Sequence, residues 1–411
     1  MDLIFVPFHD WRKCEHEGFR TRDAHLMQQF GHHPDVRRML VVNRPISLSE
    51  IAIYRRSWRV RKGRLIRHRG GSYLTQVGPK TYTLDIVVPE VLRPLHMRRA
   101  WTRYIFAKPS IAASVRMAMS DVGIANDYGM FLSAPIFTPL ARALQPPLLI
   151  ADAQDNLLKH ALYRDVPGVA DDYNYWMEHA HLLYANSPET TSWFAERRPD
   201  ASCIPNGVDL EIFDPALSRS RPADLSGIPG PIVGYAGKMQ EMIDVEAIIA
   251  TLRKLPDIHM VFIGLQLDSN WMAPVWKEPN AHYLGDKPYD QLPSYLAAFD
   301  ICLIPYHTRR QHGVDPIKLY EYLAMDKLVV STRVGGVTAF ANYPQVRMVE
   351  DTAGFTSAVA ELVTLVRANK QIERAPLPQT ATWAFKANTI ISAATNRLRE
   401  GSEQPYRLRH S

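Results

Sequence analysis

One stretch constrains this chain more than any other: residues 313–324, Gly-Val-Asp-Pro-Ile-Lys-Leu-Tyr-Glu-Tyr-Leu-Ala, followed by Lys327 and the run Leu-Val-Val-Ser-Thr at 328–332. It reads as a loop, a short helix and a buried strand. Asp315 can accept from the free N–H groups of the first turn, and Pro316 suits the first helical position. Leu319 and Leu323 lie four apart and make the packed stripe, while Lys318 and Glu321, three apart, can reach one side of the helix. A helix N-terminus attracts anions through unpaired N–H groups and its dipole. A lysine in the first turn strengthens that pull, and a carboxylate one turn later can hold vicinal hydroxyls. Diphosphate plus ribose has this chemistry. Lys and Glu at this spacing are also an ordinary solvated pair, so the rest of the chain has to decide between the two.

With 411 residues, 46% of them apolar, the chain exceeds one ordinary core and fits two domains. No run of about 18 apolar residues occurs, so no membrane span is expected. The opening Met-Asp-Leu-Ile-Phe-Val reads directly as a strand without a cationic lead-in, so no signal peptide is expected. Cys14, Cys203 and Cys302 are far apart and suggest neither a disulfide framework nor a zinc site, which makes a reducing cytoplasm the expected compartment. The net charge of +6 is uneven: residues 1–205 hold 27 Lys and Arg against 20 Asp and Glu, and the remainder holds 21 against 22. The excess lies in the N-terminal half and points to an anionic partner there.

Short apolar runs alternate with helical patterns. The first half predicts strands over 3–8, 39–42, 84–88, 122–125, 148–151 and 182–185, and helices over 22–30, 100–119, 170–180 and 189–197. Such alternation implies a parallel sheet covered on both faces. Residues 205–230, with Pro205-Asn206-Gly207, Pro215, Pro222 and Pro229-Gly230-Pro231, read as a linker. The second half predicts strands over 232–236, 259–264, 281–284, 301–305 and 328–332, helices over 245–255 and 289–298, and a helical tail over 383–399.

Residues 204–213, Ile-Pro-Asn-Gly-Val-Asp-Leu-Glu-Ile-Phe, resemble the interdomain signature of glycosyltransferases with the GT-B fold. Residues 283–293, Tyr-Leu-Gly-Asp-Lys-Pro-Tyr-Asp-Gln-Leu-Pro, with 296–305 and 315–324, resemble a branch of the group 1 transferases of the teichuronic-acid and exopolysaccharide type. The resemblance covers the second half. In the first half it is confined to the His9-Asp10-Trp11 loop, residues 22–25 and residues 152–155. It implies an α/β protein of two facing Rossmann-like domains, with a C-terminal helix crossing back to the N-terminal domain. The expected boundaries are 1–205 for an acceptor-binding domain, 206–230 for the linker, 231–382 for a nucleotide-sugar domain and 383–411 for the crossover helix and tail. It further implies hexosyl or glycuronosyl transfer, in which a UDP-linked sugar is a co-substrate and no other cofactor is needed. Many retaining relatives carry a glutamate eight residues before Glu321, where this chain has Gly313, so inversion is favoured here. A retaining transferase with a soluble acceptor and a sugar-nucleotide epimerase of the same fold stay open as alternatives.

The resemblance places donor contacts at strand ends of the C-terminal domain. Lys238 and Lys318 would flank the diphosphate, Glu321 would take the ribose, Tyr283 and Leu284 would sit near the base, and Gly237 and Val314 are further donor contacts. Gly234 and Gly237 are glycines where backbone must come close to a ligand, or simply a tight turn. No Asp-x-Asp stands in a strand-end context, so no metal is expected. Inversion needs a base on the acceptor side. Asp155, just past the strand over 148–151, ranks first, Asp152 second and Asp10 third, with a helix N-cap the plain alternative for Asp155. His9 and Trp11 are expected near the acceptor. The run 55–69 holds eight Lys and Arg and no acid, and includes Arg55, Arg56, Trp58, Arg59, Arg61 and Lys62. With Trp101 and its neighbouring arginines it suits an anionic membrane surface and a polyprenyl-diphosphate-linked saccharide acceptor. No nucleic-acid-binding module is present. The expected location is the cytoplasmic face of the cell membrane, peripherally bound.

Overall fold

The computed structural model describes residues 1–55, 57–217, 219–308 and 314–403. By internal contacts the chain divides into two units, Met1–Ile204 with Trp383–Ser411, and Pro205–Thr382. Each is a three-layer α/β sandwich, the outcome expected when helical patterns alternate with apolar strands.

The first unit is built on a ten-stranded sheet. Its order runs Ser202–Cys203, Leu182–Ala185, Leu148–Ala153, Tyr128–Leu132, Asp2–Val6, Arg38–Val42, Thr81–Val88, Ser72–Gln76, Arg64–Arg69. The strands from Ser202–Cys203 to Thr81–Val88 are parallel, and Ile46–Ser47 pairs in parallel with the end of Thr81–Val88. Asp2–Val6 has Arg38–Val42 on one side and Tyr128–Leu132 on the other, so the winding reverses beside it. Open parallel sheets bind ligands at such a switch point, outside the carboxyl ends of the strands.

Two sequence expectations fail here for identifiable reasons. The strand predicted over 122–125 is the end of a helix, Pro109–Val122, capped by Gly123 in the left-handed conformation at φ 73°. Ile124 donates back to Met119 and is buried, the apolar contact that accompanies such a cap. The true strand is Tyr128–Leu132. The helix predicted over 100–119 is two, Ala100–Phe106 and Pro109–Val122, because Pro109 opens a new first turn. Part of the basic run is a strand that its composition did not announce: Arg64–Arg69 pairs antiparallel with Ser72–Gln76 at the sheet edge. Cations along an edge discourage pairing with a second sheet, which gives several of these arginines a structural reason.

The C-terminal helix, Trp383–Glu403, packs on the Arg22–His32 helix and the Leu148–Ala153 strand. The His25 ring stacks on Trp383 at 4.8 Å, and both are buried. Burial pushes the His25 imidazole down to about 3, so this contact is between neutral rings.

The second unit has a six-stranded parallel sheet, ordered Ala281–Tyr283, His259–Ile263, Ile232–Ala236, Ile301–Ile304, Leu328–Thr332, Val346–Val349. Its switch point lies between Ile232–Ala236 and Ile301–Ile304. The stretch expected as a linker is packed: Val208, Phe213 and Leu225 are fully buried in this unit's core.

Gly234, in the Ile232–Ala236 strand, is explained by packing rather than by a ligand. A Cβ there would lie 1.9 Å from the ring of Phe299, which is itself buried. Gly234→Ala is therefore expected to destabilise the second unit by about 1–3 kcal/mol through overpacking. Urea unfolding of the two proteins measures this, and an unchanged midpoint would show that the ring yields.

Candidate functional site

In the second unit the site begins with a helix that is left uncapped. Ile317–Ala324 has Pro316 at its N-cap and no side-chain cap hydrogen bond. Asp315, expected to cap it, is engaged elsewhere. Its carboxylate accepts from the Asn206 backbone N–H at 2.5 Å and from the Tyr320 hydroxyl at 3.1 Å, and its carbonyl accepts from the Asn206 amide at 2.6 Å. Among the described residues no side chain caps the N-terminal N–H groups of this helix.

Lys318 reaches the switch point. Its ammonium donates to the hydroxyls of Tyr306 at 2.6 Å and Tyr235 at 2.9 Å and lies over both rings. The Tyr235 hydroxyl in turn donates to the carbonyl of Lys238. Gly237 sits against the ammonium: its φ is 149°, and a Cβ would come within 2.5 Å of Lys318 Nζ. Gly264 is pressed equally close to the Gly237 carbonyl, and Tyr283 donates to the Gly264 carbonyl at 3.0 Å. Tyr283 also stacks on Trp276. The structure thus gathers Gly237, Lys238, Tyr283 and Lys318 at the carboxyl ends of three neighbouring strands. Leu284, half-buried, donates its backbone N–H to Phe262 just beyond. Val314 accepts from the Gly336 N–H, which braces the approach to the helix. Gly313 lies outside the described residues.

Glu321 is buried, and it does not join Lys318. Its carboxylate accepts from the Tyr289 hydroxyl at 2.7 Å, in a different set of contacts. Tyr289, Tyr235 and Tyr306 are the residues that sequence reasoning passed over. Only their position at strand and helix ends could have flagged them.

In the first unit, the loops at the carboxyl edge beside the switch point collect acid–base groups. His9 Nδ1 is 3.1 Å from the carboxylate of Asp23, which is fully buried. Asp23 also accepts from the backbone N–H groups of Phe8 and His9 and from the Gln154 amide. Burial alone would raise Asp23, but the hydrogen bonds from His9 and Ser133 hold it below the usual carboxylate range. In the tautomer with the proton on Nδ1, the ring donates to Asp23 and Nε2 carries the lone pair.

Three carboxylates expected as bases fare differently. Asp152 is buried in a bidentate pair with Arg22, at 2.8 and 2.9 Å, which suits positioning rather than proton transfer. Asp10 is the N-cap of the Trp11–Glu17 helix and pairs with Arg12. Burial opposes its ionisation, but Arg12 and Arg44 hold the carboxyl below its ordinary value. Asp10 is therefore not suited to take up a proton at neutral pH. Asp155 is half-buried and not a helix N-cap. Burial, reinforced by the negative charge of Asp23, pushes it up to about 7 despite Arg22.

The remaining expected residues separate. Trp11 opens its helix with its N–H on Asn43, at this same edge. Trp58 packs against Tyr73, with Arg59 over its ring. Arg61 and Lys62 donate their backbone N–H groups to the Glu15 carboxylate. Arg55 ends the Leu48–Tyr54 helix and is exposed, and Arg56 lies outside the described residues. Trp101 is 1% exposed within the core and cannot serve a surface, which corrects that expectation. Among the described residues no group of three or more His, Cys, Asp or Glu is placed to hold a metal ion, and no helix is long and apolar enough to cross a membrane.

Residues 230–364 match the family model described as glycosyl transferases group 1. The protein TuaH of Bacillus subtilis (strain 168), named for glycosyl transfer in teichuronic acid biosynthesis, is 26% identical over 140 residues, which cover 33% of this chain and 35% of that protein. Among solved structures, sucrose-phosphate synthase from Thermosynechococcus elongatus superposes with a TM-score of 0.61 at 12% identity over 98% of each chain. The α,α-trehalose 6-phosphate synthase of Burkholderia multivorans gives 0.62 at 12% identity over 99% of each. Anabaena HepE, solved with UDP and glucose, gives 0.58 at 15% identity over 98% of each. The fold is therefore that of GT-B glycosyltransferases. The matched segment lies in the second unit, and the Lys318 cluster lies inside that segment.

The raised Asp155 carboxyl carries a stability signature. Its native value near 7 exceeds the ordinary 3.8, so between those values the native state binds more protons than the unfolded state. Stability falls as pH rises through that window, and the full penalty is present above it. Asp155→Asn removes the penalty and is expected to raise stability at pH 8 by on the order of a few kcal/mol, with the gain vanishing below about pH 4. Denaturant titrations at both pH values check this, and a gain independent of pH would refute the shift.

Proposed function

We propose that this protein transfers a sugar from a UDP-linked donor to a lipid-linked saccharide acceptor in polysaccharide biosynthesis, at the cytoplasmic face of the cell membrane, without a metal ion. The observation that carries the reading is the Lys318 ammonium at the switch point, against Gly237 and beside an uncapped helix, within the segment that matches the transferase family. HepE, which shares the fold, is described with UDP and with UDP-glucose, and this supports the choice of nucleotide.

In this reading the donor diphosphate takes the helix N-terminus and Lys318, displacing the ammonium from its tyrosine hydroxyls. Negative charge builds on the leaving diphosphate as the glycosidic bond breaks, and fixed positive charge there lowers the barrier. Glu321, steadied by Tyr289, takes the ribose hydroxyls. The acceptor hydroxyl attacks the anomeric carbon with inversion while Asp155 takes its proton. A carboxyl near 7 is well matched to that task at neutral pH, unlike Asp10 and Asp152, which arginines hold. A second reading makes His9 the proton acceptor, and the buried Asp23 contact to its ring favours it. Retention with a soluble acceptor and epimerisation of the sugar nucleotide remain the competing chemistries, and the products tell them apart.

Lys318→Ala and Glu321→Ala are each expected to weaken UDP binding roughly tenfold or more, since a charged hydrogen bond contributes about 1.5–3 kcal/mol. Calorimetry with UDP measures this, and unchanged affinity in both variants would remove the donor assignment. Asp155→Asn is expected to keep donor affinity while turnover falls about 10²–10⁴-fold. Should His9→Asn show that loss and Asp155→Asn show none, the base is His9. Magnetic resonance of the product reads the anomeric outcome, and retained configuration would end the account of a base altogether.

A further inference from the structure

The Leu48–Tyr54 helix has its polarity reversed. Its polar residues Ser49 and Glu50 are 4% and 7% exposed, whereas Leu48 and Ile53 are 47% and 57% exposed, with Ala52 outward beside them. A helix on a water-facing surface normally shows the opposite arrangement. The cause is local. Ser47 and Glu50 form a reciprocal capping box, and Glu50 pairs with Arg44 at 2.7 Å, so the polar side chains turn inward to start the helix.

A second short helix, Arg93–Met97, touches the first. It buries Pro94 and leaves Leu95 exposed, and Val91 and Leu92 just before it are 51% and 66% exposed. Five of the large apolar side chains left in water thus belong to two touching elements. Scattered single ones need no explanation, but a contiguous set marks a surface that meets something apolar.

The charges around this ridge point to the partner. Arg55, Arg98 and Arg99 are exposed at its borders. The acids of the two elements are neutralised within them, Glu50 by Arg44 and Glu90 by Arg93. Apolar side chains ringed by arginines match a bilayer surface with anionic headgroups, where the cations meet phosphate and the apolar tips enter the acyl boundary. Both helices follow the carboxyl ends of parallel strands, Ile46–Ser47 and Thr81–Val88, the same edge that carries His9 and Asp155.

We propose that this ridge, Leu48, Ile53, Val91, Leu92 and Leu95 with its arginine border, seats the first unit on an anionic lipid surface. The Arg64–Arg69 edge strand adds only long-range attraction. The proposal deepens the reading of a lipid-linked acceptor and rests on it for purpose. Its test needs neither donor nor turnover, so the two can fail separately.

Full-length protein is floated with vesicles of phosphatidylcholine, with and without phosphatidylglycerol. Wild type is expected to float with the anionic vesicles only, and less as salt rises. Ile53→Glu/Leu92→Glu is expected to reduce flotation roughly tenfold or more at low salt. The milder Leu92→Ser/Leu95→Ser is expected to act in the same direction, and circular dichroism checks that both variants keep the fold. Arg61→Gln/Lys62→Gln/Arg64→Gln is expected to lose much less. Wild type that ignores anionic vesicles at low salt overturns the proposal. So does an edge-strand variant that loses flotation while Ile53→Glu/Leu92→Glu keeps it. A free protein that is a dimer, dissolved to monomer by Ile53→Glu/Leu92→Glu and indifferent to vesicles, would assign the ridge to a second copy instead.

Discussion

The carboxylate of Asp315 accepts from Asn206 and Tyr320, and the candidate site of the second unit is arranged around that choice. An aspartate two residues before the Ile317–Ala324 helix would ordinarily turn to its first-turn N–H groups. Here Asn206 holds it from both sides, by a backbone N–H to the carboxylate and an amide to the carbonyl. The helix N-terminus consequently keeps its positive end for a ligand. The same contact ties residues 204–213 to residues 315–324, two motifs about a hundred residues apart in the chain, into one structural element. Gly336 closes the arrangement, because a side chain there would strike Asp315.

The legible parts of this molecule were those fixed by periodicity over a full element. The parallel strands at 232–236, 301–304 and 328–332 and the amphipathic helix at 245–254 follow from apolar spacing alone, and the structure places them within a residue or so. The failures come where a cap or a pairing partner decides. Residues 122–125 have strand composition, but Gly123 ends a helix there, and apolar content cannot distinguish a cap contact from a strand. Arg64–Arg69 lacks an apolar face on either side, so nothing in its composition announced an edge strand. Its pairing with Ser72–Gln76 supplies what the side chains do not. Trp101 looked superficial because arginines surround it in sequence, yet its ring is core and only its neighbours reach water.

The candidate site was legible as a list of residues and illegible as a set of contacts. Lys318 and Glu321 share a helix, and helical spacing suggested that they act together. Tertiary partners separate them, with Tyr235 and Tyr306 on one and Tyr289 on the other. The acids at the edge of the first unit looked equivalent in sequence, each following a strand. What distinguishes them is the cation beside each one. Arg22 grips Asp152 on both oxygens and Arg12 holds Asp10, whereas Asp155 feels burial and the charge of Asp23 more strongly than it feels Arg22.

That contrast bears on how such an edge can hold several acids at all. Buried carboxylates at close quarters repel one another, and each needs a cation, donated hydrogen bonds or a proton. Asp152 and Asp10 have cations, and Asp23 has His9, Gln154 and two backbone N–H groups. Asp155 is instead pushed up to about 7, by burial first and by the charge of Asp23 second. A group in that condition lowers stability at neutral pH, and proteins tolerate such penalties chiefly where chemistry uses them. The reversed helix at the same edge follows a related logic. Its polar side chains are used inward to build the cap, and the apolar ones are left outside, a local loss that only an apolar surrounding would offset. Two unfavourable features of different kind, one electrostatic and one hydrophobic, thus lie along the carboxyl ends of one set of parallel strands.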